Sequence, residues 1–154
     1  MKPNELREQI YIQFDAIEDT LVELKAISNT LLGEQPSRRD IAAAGLFLAN
    51  FYNGIENVMK RFAQFHKISI PSDDNWHFEL MESFCDPPKD GLPLLIDQDL
   101  AQDLAPYRHF RHVVHHNYGV GLDWNKMLPG VQQVESVWQK FKRATEDYLT
   151  TIPC

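Results

Sequence analysis

The chain has 154 residues and a formal net charge of −7, long enough for one domain with its own core and too acidic to coat nucleic acid by bulk electrostatics. Its 44% hydrophobic and 24% charged residues exclude wholesale disorder. No apolar run reaches the ~18 residues of a membrane span, and the opening MKPNELREQIY enters an amphipathic pattern rather than a signal peptide's apolar stretch, so a cytoplasmic protein without membrane association is expected.

Leu6, Ile10, Phe14, Ile17, Leu21, Leu24, Ile27 and Leu31 recur at spacings of three and four, which predicts a long first helix ending near Gly33. QPSRRD follows as a loop and a helix start, with Ser37 as cap and Asp40 returning the bond in a capping box. In the second long helix Leu48, Phe51, Ile55, Val58, Phe62 and Phe65 form one stripe. Phe47, Tyr52 and Met59 widen it, so this helix is expected to be central. SIPSDD breaks the pattern, and Trp76, Leu80 and Phe84 predict a short third helix. CDPPKDGLP reads as loop. From Asp97, a plausible cap, helix resumes through Leu100 and Leu104, and Pro106 is expected to kink it or to start a fresh segment. Gly119 suits a C-cap. After Asp123 comes a turn of helix, an expected break at Pro129-Gly130, and a last helix with Val131, Val134, Trp138, Phe141, Thr145 and Tyr148 facing inward. Neither strand nor repeat is readable. Four to five amphipathic helices joined by short loops predict an all-α, up-and-down helical bundle, a single domain over residues 1–154.

Against the acidic background, Arg108 to Gly119 reads RHFRHVVHHNYG and holds four of the six histidines. At ~100° per residue, Arg111, His112 and His115 fall near Arg108 on one face of a helix, with His109 and His116 at its edge. Tyr107, Phe110, Val113 and Val114 fall opposite and are expected to pack on the bundle. A single Arg or His on such a face is usually solvated surface. Six of them in nine positions need another account.

A metal is one such account, since His112 and His116 stand at i, i+4 as in zinc-binding helices. No Glu follows His112 to act as a base, the two cysteines Cys85 and Cys154 lie elsewhere in the sequence, and two arginines repel a dication. No cofactor or metal is therefore expected. Catalysis without metal is the other account. An Arg holds a phosphate and stabilises the charge that grows on it, while a His near neutrality moves the proton of a ribose 2′-hydroxyl or of the leaving oxygen. Those are the needs of RNA cleavage by 2′-hydroxyl attack. Acid and base on one helix do not easily flank one phosphate, so a two-fold homodimer that brings two such helices together would supply both.

Arg111, four residues, His116, one residue, Tyr118, late in a small helical chain, resembles the HEPN ribonuclease toxins of the HepT type. FYNGIENVMKRFA, WHFELM and FRHVVHHNYGVGLDW also look like segments of HepT-like chains, so the resemblance covers most of positions 40 to 126. It implies a HEPN-like homodimeric bundle in which two Arg/His motifs meet at the interface as a composite, metal-independent ribonuclease site, cleaving tRNA or mRNA as an endo- or exoribonuclease. It also implies a partner, a minimal nucleotidyltransferase antitoxin that neutralises the toxin by adenylylating the motif tyrosine. Carried over, Arg111 binds the scissile phosphate, His116 is general acid or base, Tyr118 is the adenylylation target, and His112 assists. Arg108 and His115, at i, i+7 on one face, also fit a looser family pattern. The His-x-Tyr tail favours His116 and leaves Arg108 and His115 in support.

Other residues have simpler readings. Glu56, inside the apolar central helix, is able to orient a histidine or an arginine, but an i, i+4 pair with Lys60 is the commoner case. Trp76 reads as core, His77 as a surface or capping residue, and Tyr52 as a core tyrosine with a satisfied hydroxyl. Arg38 and Arg39 fit surface charge or an RNA contact. The rival to the ribonuclease is a non-catalytic HEPN module that binds nucleotide or RNA, or acts as an adaptor.

Overall fold

The line of apolar residues at helical spacing in the first thirty positions becomes the buried face of α1 (Pro3–Thr30), with Leu6, Ile10, Phe14, Ile17, Leu21 and Leu24 almost wholly removed from solvent. A computed structural model describes residues 1–30, 35–70, 76–117 and 121–154. The expected end of the first helix at Leu31 to Gly33 and the expected C-cap at Gly119 lie outside the described residues. Among the described residues four further helices follow: α2 (Arg38–Phe65), α3 (Trp76–Ser83), α4 (Gln98–Asn117) and α5 (Trp124–Thr151). The all-α bundle is as expected, and among the described residues the only β pairing is an isolated bridge between Cys85 and Ile96. Among them, too, no helix is long and apolar enough to cross a membrane.

The four long helices pack in a ring, α1 on α2, α2 on α4, α4 on α5 and α5 on α1, and α3 lies on α2. Because α2 also reaches α5, it touches every other helix. Its wide apolar surface explains this: Leu48, Phe51, Tyr52, Ile55, Val58, Met59 and Phe62 are all fully buried. Edge-to-face aromatic pairs pin the ring at several points, Phe14 on Trp138 between α1 and α5 and Phe51 on Tyr107 between α2 and α4, both with centroids 5.1 Å apart. Each such pair adds about 0.5–1.5 kcal/mol beyond its buried area. Gly54 lets α1 and α2 close up, since a Cβ there would lie 2.9 Å from Ile17 Cδ1 and nearer still to Cγ1.

Helix starts follow the chemistry of their caps. The Asp40 amide donates to Ser37 Oγ at 3.1 Å, the forward half of the expected capping box, and the Leu100 amide donates to Asp97 Oδ1 at 2.8 Å. Each satisfies an amide that has no partner within its helix. At the other end of α5, Arg7 of α1 donates to the carbonyls of Leu149, at 3.0 Å, and Ile152.

No fresh segment starts at Pro106, and the expected break at Pro129-Gly130 is absent. Helix α4 runs unbroken through Pro106, and α5 runs unbroken through Pro129 and Gly130. A proline inside a helix frees the carbonyl four residues earlier, here those of Gln102 and Asn125. Both residues, like both prolines, are exposed, so each proline lies on the solvent side of its helix, where a freed carbonyl costs least. The opposite sides of the two helices are clamped together. Tyr107 donates its hydroxyl to the Gly130 carbonyl at 2.7 Å, and a Cβ on Gly130 would come 3.0 Å from the Phe110 ring. Packing on the inner side thus carries each helix across its proline.

Candidate active site: a basic cleft between α3 and α4

Leu104, Tyr107 and Phe110 turn one side of α4 into the core. The same helical period sends Arg108 and Arg111 to a half-buried boundary and leaves His109, His112, His115 and His116 exposed. The basic face is therefore where its spacing put it. Val113 and Val114 are half-buried rather than core.

Arg111 is the most tightly held of these side chains. Its Nε donates to Asn53 Oδ1 at 2.7 Å and lies 3.3 Å from Glu56 Oε1. One terminal nitrogen is 3.1 Å from His77 Nε2. Asn53 and Glu56 stand three residues apart on α2 and so share a face, while His77 enters from the first turn of α3. Glu56 is only 2% exposed, and its second oxygen is bonded to His77 Nδ1. One buried carboxylate therefore holds both an arginine and a histidine at the surface. Charges taken from water cost several kcal/mol each unless they are paired and hydrogen-bonded, which this arrangement achieves for Glu56.

This overturns two simpler readings. Glu56 does not pair with Lys60, whose ammonium sits 4.2 Å from the centroid of the Trp76 ring. Lys60 is half-exposed and Glu56 is buried, so the lysine would have to leave water to reach it. Nor is His77 a mere surface or capping residue. Besides its bonds to Glu56 and Arg111, its imidazole lies against the Trp76 indole, with ring centroids 3.4 Å apart. Trp76 is half-buried, packed on the core rather than inside it.

Tyr52 lies beneath the site, fully buried, with its hydroxyl 3.8 Å from Met81 Sδ. Burial, and then the nearby charge of Glu56, push its ionisation far above the usual phenol range. It stays neutral. Arg38 and Arg39 are exposed at the start of α2.

His77, Phe78, Ala105, Arg108, His109, Arg111 and His112 line an open cleft of about 320 Å³. Arg108 lies over the Phe78 ring, 5.3 Å from its centroid. His116 is not part of this lining. It lies one turn beyond, its ring 4.1 Å from that of His112. His115 is exposed and also outside the cleft. Tyr118 lies outside the described residues. Among the described residues no three His, Cys, Asp or Glu groups converge as a set able to hold a metal ion.

The structure thus brings Arg108, Arg111 and His112 together and adds three groups that the motif omits, Asn53, Glu56 and His77. Asn53 and Glu56 share a face of α2, but Asn50, Asn57, Lys60 and Arg61 are polar residues of the same helix, so their i, i+3 spacing was a weak signal. No spacing rule pointed to His77, which is 34 positions from Arg111 in the chain.

Chemically, the cleft offers guanidinium donors for an anion and imidazoles for proton transfer. No curated protein and no solved structure matches the chain. One family model does match, that of the HepT-like proteins, over residues 43–152. That span takes in α2 from its sixth residue, all of α3 and α4, and α5 to beyond its end, and so it contains every residue of the cleft: the chain belongs to the HepT-like family.

Proposed function

We propose that this protein is a metal-independent ribonuclease of the toxin type, active as a homodimer. The observation that carries this reading is the fixed Arg111, held by Asn53, Glu56 and His77 with its guanidinium at a basic cleft on an acidic protein. A guanidinium locked in place before substrate arrives stabilises charge on a phosphate without reorganising during reaction. In this reading Arg111 binds the scissile phosphate, Arg108 adds a second positive contact, and His116 transfers a proton, with His112 and His115 in support. Since His116 stands outside the cleft of its own chain, the partner protomer's copy reaches the phosphate across the two-fold axis.

Incubation of the purified protein with unfractionated tRNA and an mRNA transcript in EDTA tests the reading. Cleavage that persists in chelator supports it. Cleavage that needs added metal, or binding without cleavage, overturns it, and the latter leaves a non-catalytic RNA-binding module.

We further propose a nucleotidyltransferase antitoxin as partner, with Tyr118 as the residue it adenylylates. An added AMP carries a phosphate able to occupy the guanidinium groups that otherwise grip RNA. Co-expression with such an enzyme is expected to raise the intact mass by one or more AMP units and to silence cleavage. Both effects should be lost in Tyr118→Phe. Neutralisation of an unmodified protein would mean inhibition by binding alone.

A further inference from the structure

We infer that His77 is the general base of the reaction, a catalytic residue oriented from below by Glu56 and released for duty by the substrate itself. The inference rests on the ribonuclease reading above and adds to it a proton acceptor lying outside the Arg/His motif.

A guanidinium has only N–H groups to offer, so the Arg111 terminal nitrogen 3.1 Å from His77 Nε2 must donate and Nε2 must accept. Nε2 therefore carries a lone pair and no proton. The proton of the neutral ring then sits on Nδ1, where the Glu56 carboxylate accepts it. A buried carboxylate behind Nδ1–H holds the imidazole in one tautomer and stabilises the imidazolium that forms when Nε2 takes up a proton. The Trp76 indole, against the same ring, fixes its plane.

His77 also meets the positional requirement. It lines the cleft together with Arg108, Arg111 and His112, and its side chain is 22% exposed while that of Glu56 is 2% exposed. His77 thus reaches the cleft while its orienting acid stays buried. Before substrate binds, the lone pair is covered by the Arg111 N–H. A phosphate arriving at Arg111 competes for that N–H, because a charge-assisted bond to an anion is stronger than one to a neutral imidazole. The same contact that grips the phosphate uncovers the base beside it.

The step balances without a further reactant. The ribose 2′-O–H bond breaks and its proton passes to His77 Nε2. The 2′ oxygen forms a bond to phosphorus, and the bond from phosphorus to the 5′ oxygen breaks. The leaving oxygen takes a proton from protonated His116, giving a 2′,3′-cyclic phosphate and a 5′-hydroxyl. Exchange with water returns both histidines to their starting states.

Single-turnover cleavage of the same tRNA and mRNA in EDTA, measured across pH, tests the assignment. His77→Ala is expected to lose about 100-fold or more in rate, as removal of a general base does, while RNA binding is kept. It should also lose the rise in rate with pH on the acid side, and added imidazole should restore part of the activity. His77→Gln, which keeps an N–H donor for Glu56, preserves the fold if the alanine variant does not, and should be equally slow. Glu56→Gln should be slowed less and should retain the pH-dependent rise, as befits a positioning residue. If the wild-type protein cleaves and His116→Ala does not, but both His77 variants stay within about threefold of wild type, the base assignment falls and the ribonuclease reading stands. A uniform loss across pH without rescue by imidazole would reduce His77 to a structural brace for Arg111 and also overturn it. Absence of cleavage by the wild-type protein would remove the ribonuclease reading and this inference together.

Discussion

Arg111→Ala is expected to abolish RNA cleavage and to destabilise the protein at the same time. The first effect follows from the loss of the guanidinium at the phosphate, since removing one preorganised donor of this kind costs about 10²–10³ in rate. The second runs against the expectation from the helical face alone, on which Arg111 is a polar-side residue whose loss opens no core cavity. Its Nε lies 3.3 Å from an oxygen of Glu56, which is 2% exposed, and donates to Asn53. Taking one partner from a buried ion pair leaves a charge without compensation and costs about 3–5 kcal/mol. Here His77 remains on Glu56 and the Arg111 side chain is itself 21% exposed, so a loss near about 2–3 kcal/mol is expected, below that range. In a domain of this size each kcal/mol moves the melting temperature by about 2–4 °C. Thermal denaturation of Arg111→Ala, Glu56→Gln and the double variant separates the two effects. Neutralising Glu56 in the Arg111→Ala background should recover stability without recovering cleavage. An Arg111→Ala protein as stable as wild type would show that Glu56 has no need of the guanidinium.

Most of the bundle was legible because burial repeats with the period of the element. Leu6 through Leu24 and Leu48 through Phe62 each fall on one face of a helix, and no tertiary knowledge is needed to see it. The basic face of α4 was legible for the same reason. Continuity through Pro106 and Pro129 was not, because it depends on whether the freed carbonyls of Gln102 and Asn125 face water, and that follows only from how α4 and α5 pack. Glu56 shows the same limit. Its i, i+4 lysine is a local partner, and the pair that forms instead comes from elements 21 and 55 positions away in sequence, at His77 and Arg111. Helical periodicity tells which residues face inward and is silent on which polar groups meet there. Motif resemblance reached Arg111 for a related reason, since a motif records residues near one another in sequence, and Asn53 and His77 are not.

His116→Ala is the other substitution expected to reduce cleavage by about 10²-fold or more, and mixing it with Arg111→Ala locates its partner. Neither homodimer should cleave. His116 lies outside the cleft that its own Arg111 lines, and in the proposed homodimer each site takes the arginine from one protomer and the histidine from the other. In a heterodimer of the two variants one site then loses both groups and the second keeps both. Random exchange of equal amounts makes about half of the dimers heterodimers, each with one of two sites intact, so about a quarter of wild-type activity should return. If Arg111 and His116 act within one chain, no site in the mixture holds both and activity stays at zero. His115→Ala, made beside them, is expected to cost only a few-fold, because His115 is exposed, lies outside the cleft and has no proton-transfer role in the proposed site. Equal losses in His115→Ala and His116→Ala would instead place the proton transfer on the face that His115 shares with Arg108.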